Sequence, residues 1–177
     1  MNISIRFDGR DYTLVYGCLK GLDDEAFQSA LKWSRENTKE GTWLILLRDC
    51  CKLPDRRVIV TSLLHTLRNF SSGRMISRDL VHEFLLFLIG VRNIKDAAKF
   101  FGEGQGTRAG FVGISSRSVE PILSLLEEIR GVFKAVEEEP DEDCWISLYS
   151  AFLNLPPDRE LLVRALRARA TLLALTL

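Results

Sequence analysis

Ile3, Ile5 and Phe7 alternate with polar residues, Asp8-Gly9 supplies turn chemistry, and Tyr12 to Tyr16 resumes a β-rich composition. The chain is therefore expected to open on a hairpin whose turn is a few residues long. Asp23 and Asp24 precede an amphipathic helix from Glu25 to about Asn37, with Phe27, Ala30, Leu31 and Ser34 at helical spacing. The acids stand at its start, where the helix dipole favours them. The apolar run Trp43 to Leu47, bounded by Gly41 and a charged segment, predicts a buried strand.

Pro54 and Asp55 open a helix to about Phe70, with Val60, Leu63, Leu64, Leu67 and Phe70 as its apolar face and Arg57, Thr61, His65 and Arg68 opposite. Ser77 is expected to cap a second helix, Arg78 to about Ile89, which is apolar nearly all round and so buried on most faces. A short third helix, Ile94 to Phe101, is expected to end at Gly102 in a left-handed cap. Phe111 to Ile114 and Gly131 to Val136 read as strands, with a helix from Ser118 to about Ile129 between them. The six acids of Glu137 to Asp143 read as a solvated loop. Cys144 to Leu153 is helical, and Pro156-Pro157-Asp158 starts a long closing helix, Arg159 to Leu177. In it Leu161, Ala165, Ala168, Leu172 and Leu175 form a stripe expected to pack into the core, while Arg164 and Arg167 share another face. These elements amount to four or five strands and six or seven helices. Their irregular alternation excludes a doubly wound sheet and predicts a single α+β domain with a small, mainly antiparallel sheet.

Composition changes this picture only where it limits function. A chain of 177 residues, 46% apolar and 27% charged, is one globular domain of common size. Its 24 basic and 24 acidic residues cancel, so a nucleic-acid or membrane site must come from a local patch. The N-terminus lacks the layout of a signal peptide, and the longest apolar stretch, Phe84 to Gly90, falls far short of the roughly 18 residues a membrane span needs. A soluble, cytoplasmic protein without a membrane partner is expected. Cys18, Cys50, Cys51 and Cys144 have no C-x-x-C spacing, and His65 and His82 are the only histidines. Reduced thiols, no metal site and no cofactor follow as expectations.

Gly102-Glu103-Gly104-Gln105-Gly106 invites a phosphate-loop reading, but it follows a helix and precedes a strand, the reverse of the order that faces a helix N-terminus toward an anion. It reads as a plain turn. Neither histidine sits in a catalytic signature, and no G-x-S-x-G elbow is present. Charge distribution says more: residues 56 to 99 hold Arg56, Arg57, Arg68, Arg74, Arg78, Arg92, Lys95 and Lys99 against Asp79, Glu83 and Asp96. Arg68, Arg74 and Arg78 flank one helix junction and Arg92 with Lys95 the next, so several cations are expected to converge on a phosphate-binding patch.

The stretch Ser77 to Ala98 follows the pattern S-R-x-L-x-x-E-x-L and then G-x-R-x-I-x-x-A. It resembles the accessory subunit of the KEOPS complex, the family of the human PRPK-binding protein, over about residues 57 to 114. The resemblance implies a non-catalytic subunit that binds the atypical kinase/ATPase subunit of the complex and supports threonylcarbamoyladenosine modification of tRNA. It further implies capture of the single-stranded 3′ CCA end, for which His65, Arg68, Arg74, Arg78, Arg92, Lys95, Arg164 and Arg167 are the candidate contacts. Phe84, Leu88, Ile94 and Leu172 are the candidate contacts for the kinase. The subunit is expected to be monomeric alone, and also nuclear if its source is eukaryotic. The competing readings are a protein-only adaptor without RNA contact and, behind it, a small enzyme using His65. Asn93 stands where archaeal relatives often carry Gln.

Overall fold

Two residues suffice to turn the opening hairpin. The computed structural model describes residues 2–104 and 106–176, so Met1, Gln105 of the glycine-rich turn and Leu177 at the apolar end lie outside the described residues. Strands β1 (Asn2–Phe7) and β2 (Arg10–Lys20) pair antiparallel from Asn2 opposite Val15 to Phe7 opposite Arg10. Asp8 and Gly9 both take positive φ, 49° and 73°, the backbone twist that a two-residue hairpin loop needs. β2 is long enough to hold β4 (Arg108–Ser115) along one edge and both β1 and the short β5 (Val136–Glu138) along the other. β3 (Thr42–Leu47) closes the far side, and the order is β1-β2-β4-β3, antiparallel throughout. Among the described residues five strands and seven helices make the expected α+β class.

Contacts divide the chain into two compact units, the first of residues 1–53 and 103–140 and the second of residues 54–102 and 141–177. In the first, α1 (Asp24–Asn37) and α5 (Glu120–Phe133) cover the sheet. Phe27, Ala30, Ile122, Leu125 and Ile129 meet Val15, Leu19, Leu44, Leu46 and Phe111 in one core. Cys18 on β2 and Cys50, which opens a 3-10 turn after β3, are joined as a disulfide with Cα atoms 5.6 Å apart, and no described cysteine is free. The expectation of reduced thiols is overturned: a separation of 32 residues conceals a pairing that the sheet creates.

Several boundaries differ from expectation in the same unit. α5 runs through Gly131 to Phe133, so the strand expected from Gly131 is reduced to Val136–Glu138. The acidic run is not a solvated loop from end to end. Glu137 and Glu138 pair with β2 and form ion pairs with Arg130 and Arg108, and Glu142 and Asp143 sit in the first turn of the next helix.

The second unit is helical: α2 (Arg56–Ser72), α3 (Leu80–Ile89), α4 (Ile94–Gly102), α6 (Glu142–Leu153) and α7 (Arg159–Leu175). Asp55, Asp79, Asp141 and Asp158 cap four of these, each carboxylate accepting a hydrogen bond from a backbone N–H of the first turn. Asp79 therefore takes the capping role expected of Ser77, whose hydroxyl donates to the Asp79 carbonyl instead. Gly102 ends α4 without a left-handed φ. On α2 the buried face is Val58, Ile59, Ser62, Leu63, Thr66 and Leu67, and the polar side lies along its margin beside α7: Arg57 reaches Glu160, Thr61 receives Arg167, and His65 meets Thr171, so α2 and α7 run side by side in the same direction. Leu63 and Leu67 are buried as expected, whereas Leu64 and Phe70 are exposed.

Asp55 ties the starts of these helices together. Its buried carboxylate accepts from the Arg57 backbone and guanidinium and from the Arg159 guanidinium, which also pairs with Glu142. Burial opposes ionisation, but hydrogen bonds from Arg57 and Arg159 outweigh it and hold the Asp55 carboxyl at about 2. An unfolded carboxyl titrates near 3.8, so the stability this group provides is complete above pH 4 and is lost as pH falls through 2. Denaturant unfolding is expected to show a loss between pH 5 and pH 2 that is about 2 kcal/mol smaller in Asp55→Asn than in the wild type.

Candidate functional site

The turn carrying Arg74 and Arg78 is held from below by a carboxylate. Glu83, on the first turn of α3, is 0% exposed. One of its oxygens accepts the backbone N–H groups of Ile76 and Ser77, each at 2.9 Å, and the other accepts the Asn69 amide from α2 at 2.9 Å. Three donors satisfy a buried anion without a cation, as burial requires. Gly73 caps α2 in the left-handed conformation, and the Arg74 N–H returns to the Asn69 carbonyl. The backbone of the turn is thereby fixed while the Arg74 and Arg78 side chains stay exposed.

At the other end of α3, Gly90 forms the C-cap with φ of 64°, and a Cβ there would overlap the Cβ and backbone of Arg169 on α7. The Arg169 guanidinium completes the cap by donating to the carbonyls of Ile89 and Gly90. Arg92 and Lys95 follow, both exposed, and the Asn93 side chain accepts the Lys95 N–H at 2.9 Å to start α4. Ala97 is buried. The motif positions Ser77, Leu80, Glu83, Gly90 and Ala97 thus all have structural work inside this unit. Among the described residues the Arg78 and Arg92 side chains have no ion pair and stand exposed.

His65 is half-buried between α2 and α7, stacked on Phe87 at 5.5 Å and 3.3 Å from the Thr171 hydroxyl. Burial and then the nearby Arg68 charge push its pKa down from the ordinary imidazole value, and among the described residues no carboxylate is hydrogen-bonded to it. Arg167 donates to Thr61 at 3.0 Å on the same seam. Arg68 lies one turn beyond His65 and Arg164 one turn before Arg167, and both are exposed. Among the described residues Arg68, Arg74, Arg78, Arg92, Lys95, Arg164 and Arg167 form no ion pair. Seven unneutralised cations on one unit leave an anion-attracting surface in a chain of zero net charge.

They do not converge on one point. α3 has ten residues and stands between Arg78 and Arg92, a separation of about 15 Å along its axis. The cations stand at three places on the unit: the turn, the α3–α4 junction and the α2–α7 seam. The candidate partner contacts divide as well. Phe84 and Leu88 are fully buried core residues that no partner reaches in this fold, because α3 is enclosed on nearly every side. Ile94 and Leu172 are exposed, at 41% and 61%. The α7 stripe is corrected in the same way. Leu162, Val163, Leu166, Ala170 and Leu173 form the packed face, while Leu161, Leu172 and Leu175 stand in the open. Sequence reasoning missed Glu83 as the organiser of the turn; its signal was the acid of the S-R-x-L-x-x-E pattern.

A unit with uncompensated cations and exposed leucines on an otherwise packed helix defines a candidate binding protein. The chain is 30% identical over 105 residues to the KEOPS complex subunit Cgi121 of Pyrococcus abyssi, which covers 57% of this chain and 58% of that protein. The match supports the resemblance to the KEOPS accessory-subunit family, and the chain spans less than two thirds of that relative's length. No protein-family model matches the chain. Among the described residues no helix is long and apolar enough to cross a membrane.

Proposed function

We propose that this chain is a non-catalytic accessory subunit of a KEOPS complex, working in the cytoplasm, or also in the nucleus of a eukaryote, to support threonylcarbamoyladenosine modification of tRNA. It binds the kinase/ATPase subunit through an apolar surface that includes Ile94 and Leu172. It captures tRNA at the 3′ CCA end through Arg74, Arg78, Arg92, Lys95, Arg68, Arg164, Arg167 and His65. The observation that carries the reading is the division of labour in the motif. Folding accounts for Ser77, Leu80, Glu83, Gly90 and Ala97, and leaves Arg78 and Arg92 exposed and without an acid. Guanidinium groups held that way neutralise phosphates and stack on unpaired bases.

The test is binding of labelled tRNA, with and without its CCA end, across a salt series. Wild type is expected to need the CCA end and to weaken as salt rises. Arg74→Glu/Arg92→Glu is expected to bind at least a hundredfold more weakly, since two phosphate contacts are replaced by repulsions. Equal binding by the folded double variant moves the RNA contacts away from Arg74 and Arg92, and no binding by the wild type leaves the protein-only adaptor.

A further inference from the structure

The opening hairpin leaves one edge of the sheet bare. β1 stands at the end of the order β1-β2-β4-β3, and among the described residues no strand pairs with its outer side. The two-residue loop at Asp8-Gly9 makes Phe7 and Arg10 a hydrogen-bonded pair, and such pairs recur at every second residue, at Ile5 with Tyr12 and at Ile3 with Leu14. The backbone N–H and C=O groups of Asn2, Ser4 and Arg6 therefore point away from β2, and all three residues are exposed. Together they form a row of donors and acceptors at the spacing that another strand meets.

Exposed edges are normally guarded by proline, lysine, a bulge or a charge. β1 contains no proline and no lysine, and its unbroken register with β2 contains no bulge. Its single charge is already matched, because Arg6 donates from Nε and Nη2 to the two oxygens of the Asp11 carboxylate at 2.8 and 2.9 Å. What remains is an electrically neutral strand with Ile3, Ile5 and Phe7 half-buried on one face.

One register lets this strand pair with a second copy of itself. With Ser4 opposite Ser4 of the second copy, Asn2 falls opposite Arg6, and every outward donor of both strands finds an acceptor. The same register brings Ile3 opposite Ile5 at the close spacing of a non-hydrogen-bonded pair, and no like charges meet. Moving the pairing by one residue sets outward groups against residues already bonded to β2, and moving it by two leaves Asn2 or Arg6 without a partner. We propose that the protein self-associates through β1 as a two-fold dimer, its two sheets joined edge to edge, in place of the monomer that the family resemblance implies. Two short strands make a small contact, so the dimer belongs to the weak class that forms as concentration rises through the micromolar range. The inference is independent of the tRNA and kinase contacts, since it uses none of their residues.

Sedimentation of the full chain over a concentration series reaching the high micromolar range compares wild type with Ser4→Lys and Ser4→Pro, each checked for fold by circular dichroism. Lysine sets two like charges at the two-fold axis. Proline removes both axial hydrogen bonds and spares the ladder to β2, because the Ser4 N–H points outward. Wild type is expected to dimerise and both variants to do so at least tenfold more weakly. Amide exchange reads the register: protection at Ser4 and Arg6 is expected to rise with protein concentration, while Ile3, Ile5 and Phe7, already bonded to β2, keep theirs. A wild type that stays monomeric through the series overturns the proposal. A dimer that folded Ser4→Lys leaves intact also overturns it, as does concentration-dependent protection that fails to alternate along β1. If Ser4→Pro does not fold, Ser4→Lys and the exchange pattern decide.

Discussion

Replacing Glu83 by alanine is expected to cost about 3 to 5 kcal/mol of stability, the range for removing one side of a fully buried charged cluster. Its carboxylate is the shared acceptor for the Ile76 and Ser77 N–H groups and the Asn69 amide, so truncation strands three donors at once, two of them on the backbone. Glu83→Gln keeps the shape and one acceptor but turns an amide N–H₂ toward N–H donors, so it is expected to fall between wild type and alanine. Denaturant midpoints measure both. A second readout separates packing from loop order: amide exchange at Ile76 and Ser77 is expected to quicken in Glu83→Gln before global stability is lost. A midpoint for Glu83→Ala within 1 kcal/mol of wild type, by the same bookkeeping, would mean that the carboxylate does not hold the turn.

The second large effect lies at Gly90, and Gly73 supplies its control. Both glycines close a helix in the left-handed conformation, with φ of 64° and 67°. A Cβ at Gly73 meets nothing within 4 Å, so Gly73→Ala is expected to cost only the backbone preference, about 1 kcal/mol. A Cβ at Gly90 would run into Arg169, forcing α3 and α7 apart and breaking the hydrogen bonds from Arg169 to the Ile89 and Gly90 carbonyls. Gly90→Ala is expected to cost about 3 kcal/mol or more, since overpacking adds to the same backbone term. Thermal unfolding of the two variants side by side makes the comparison. Equal losses would mean that conformation alone, and not the close helix contact, requires glycine at 90.

How much of this was readable from sequence depends on whether a feature is local. The turn at Asp8-Gly9, the acids starting α1 and the start of α2 at Pro54-Asp55 all rest on residues near in sequence, and their types announce them. What a helix packs against is not local. His65 and Arg68 share the polar side of α2, and the partners found along that side are on α7, 103 residues away for Arg57 with Glu160 and 106 for Thr61 with Arg167. The α7 stripe misleads for the complementary reason. Leu161, Leu172 and Leu175 are spaced as a core face would be, but Leu162, Val163, Leu166, Ala170 and Leu173 satisfy the unit's own packing, so the better-spaced set is left outside. The cationic residues were legible one by one. Their spread along α3 was not, since nearness in sequence across a helix junction says nothing of the length of helix between them.

Neither compact unit is a continuous stretch of chain: the sheet unit is interrupted by residues 54–102 and the helical unit by residues 103–140. During synthesis the sheet unit therefore has all its parts once residue 140 has left the ribosome. α2, α3 and α4 emerge far earlier and wait for the face of α7 that covers them. Through that interval Leu63, Phe84 and Phe87 have no completed core, and the exposed arginines flank sticky helices. The helical unit is the one whose nascent form needs protection from aggregation, and any cut between residues 102 and 141 deprives it of its final two helices.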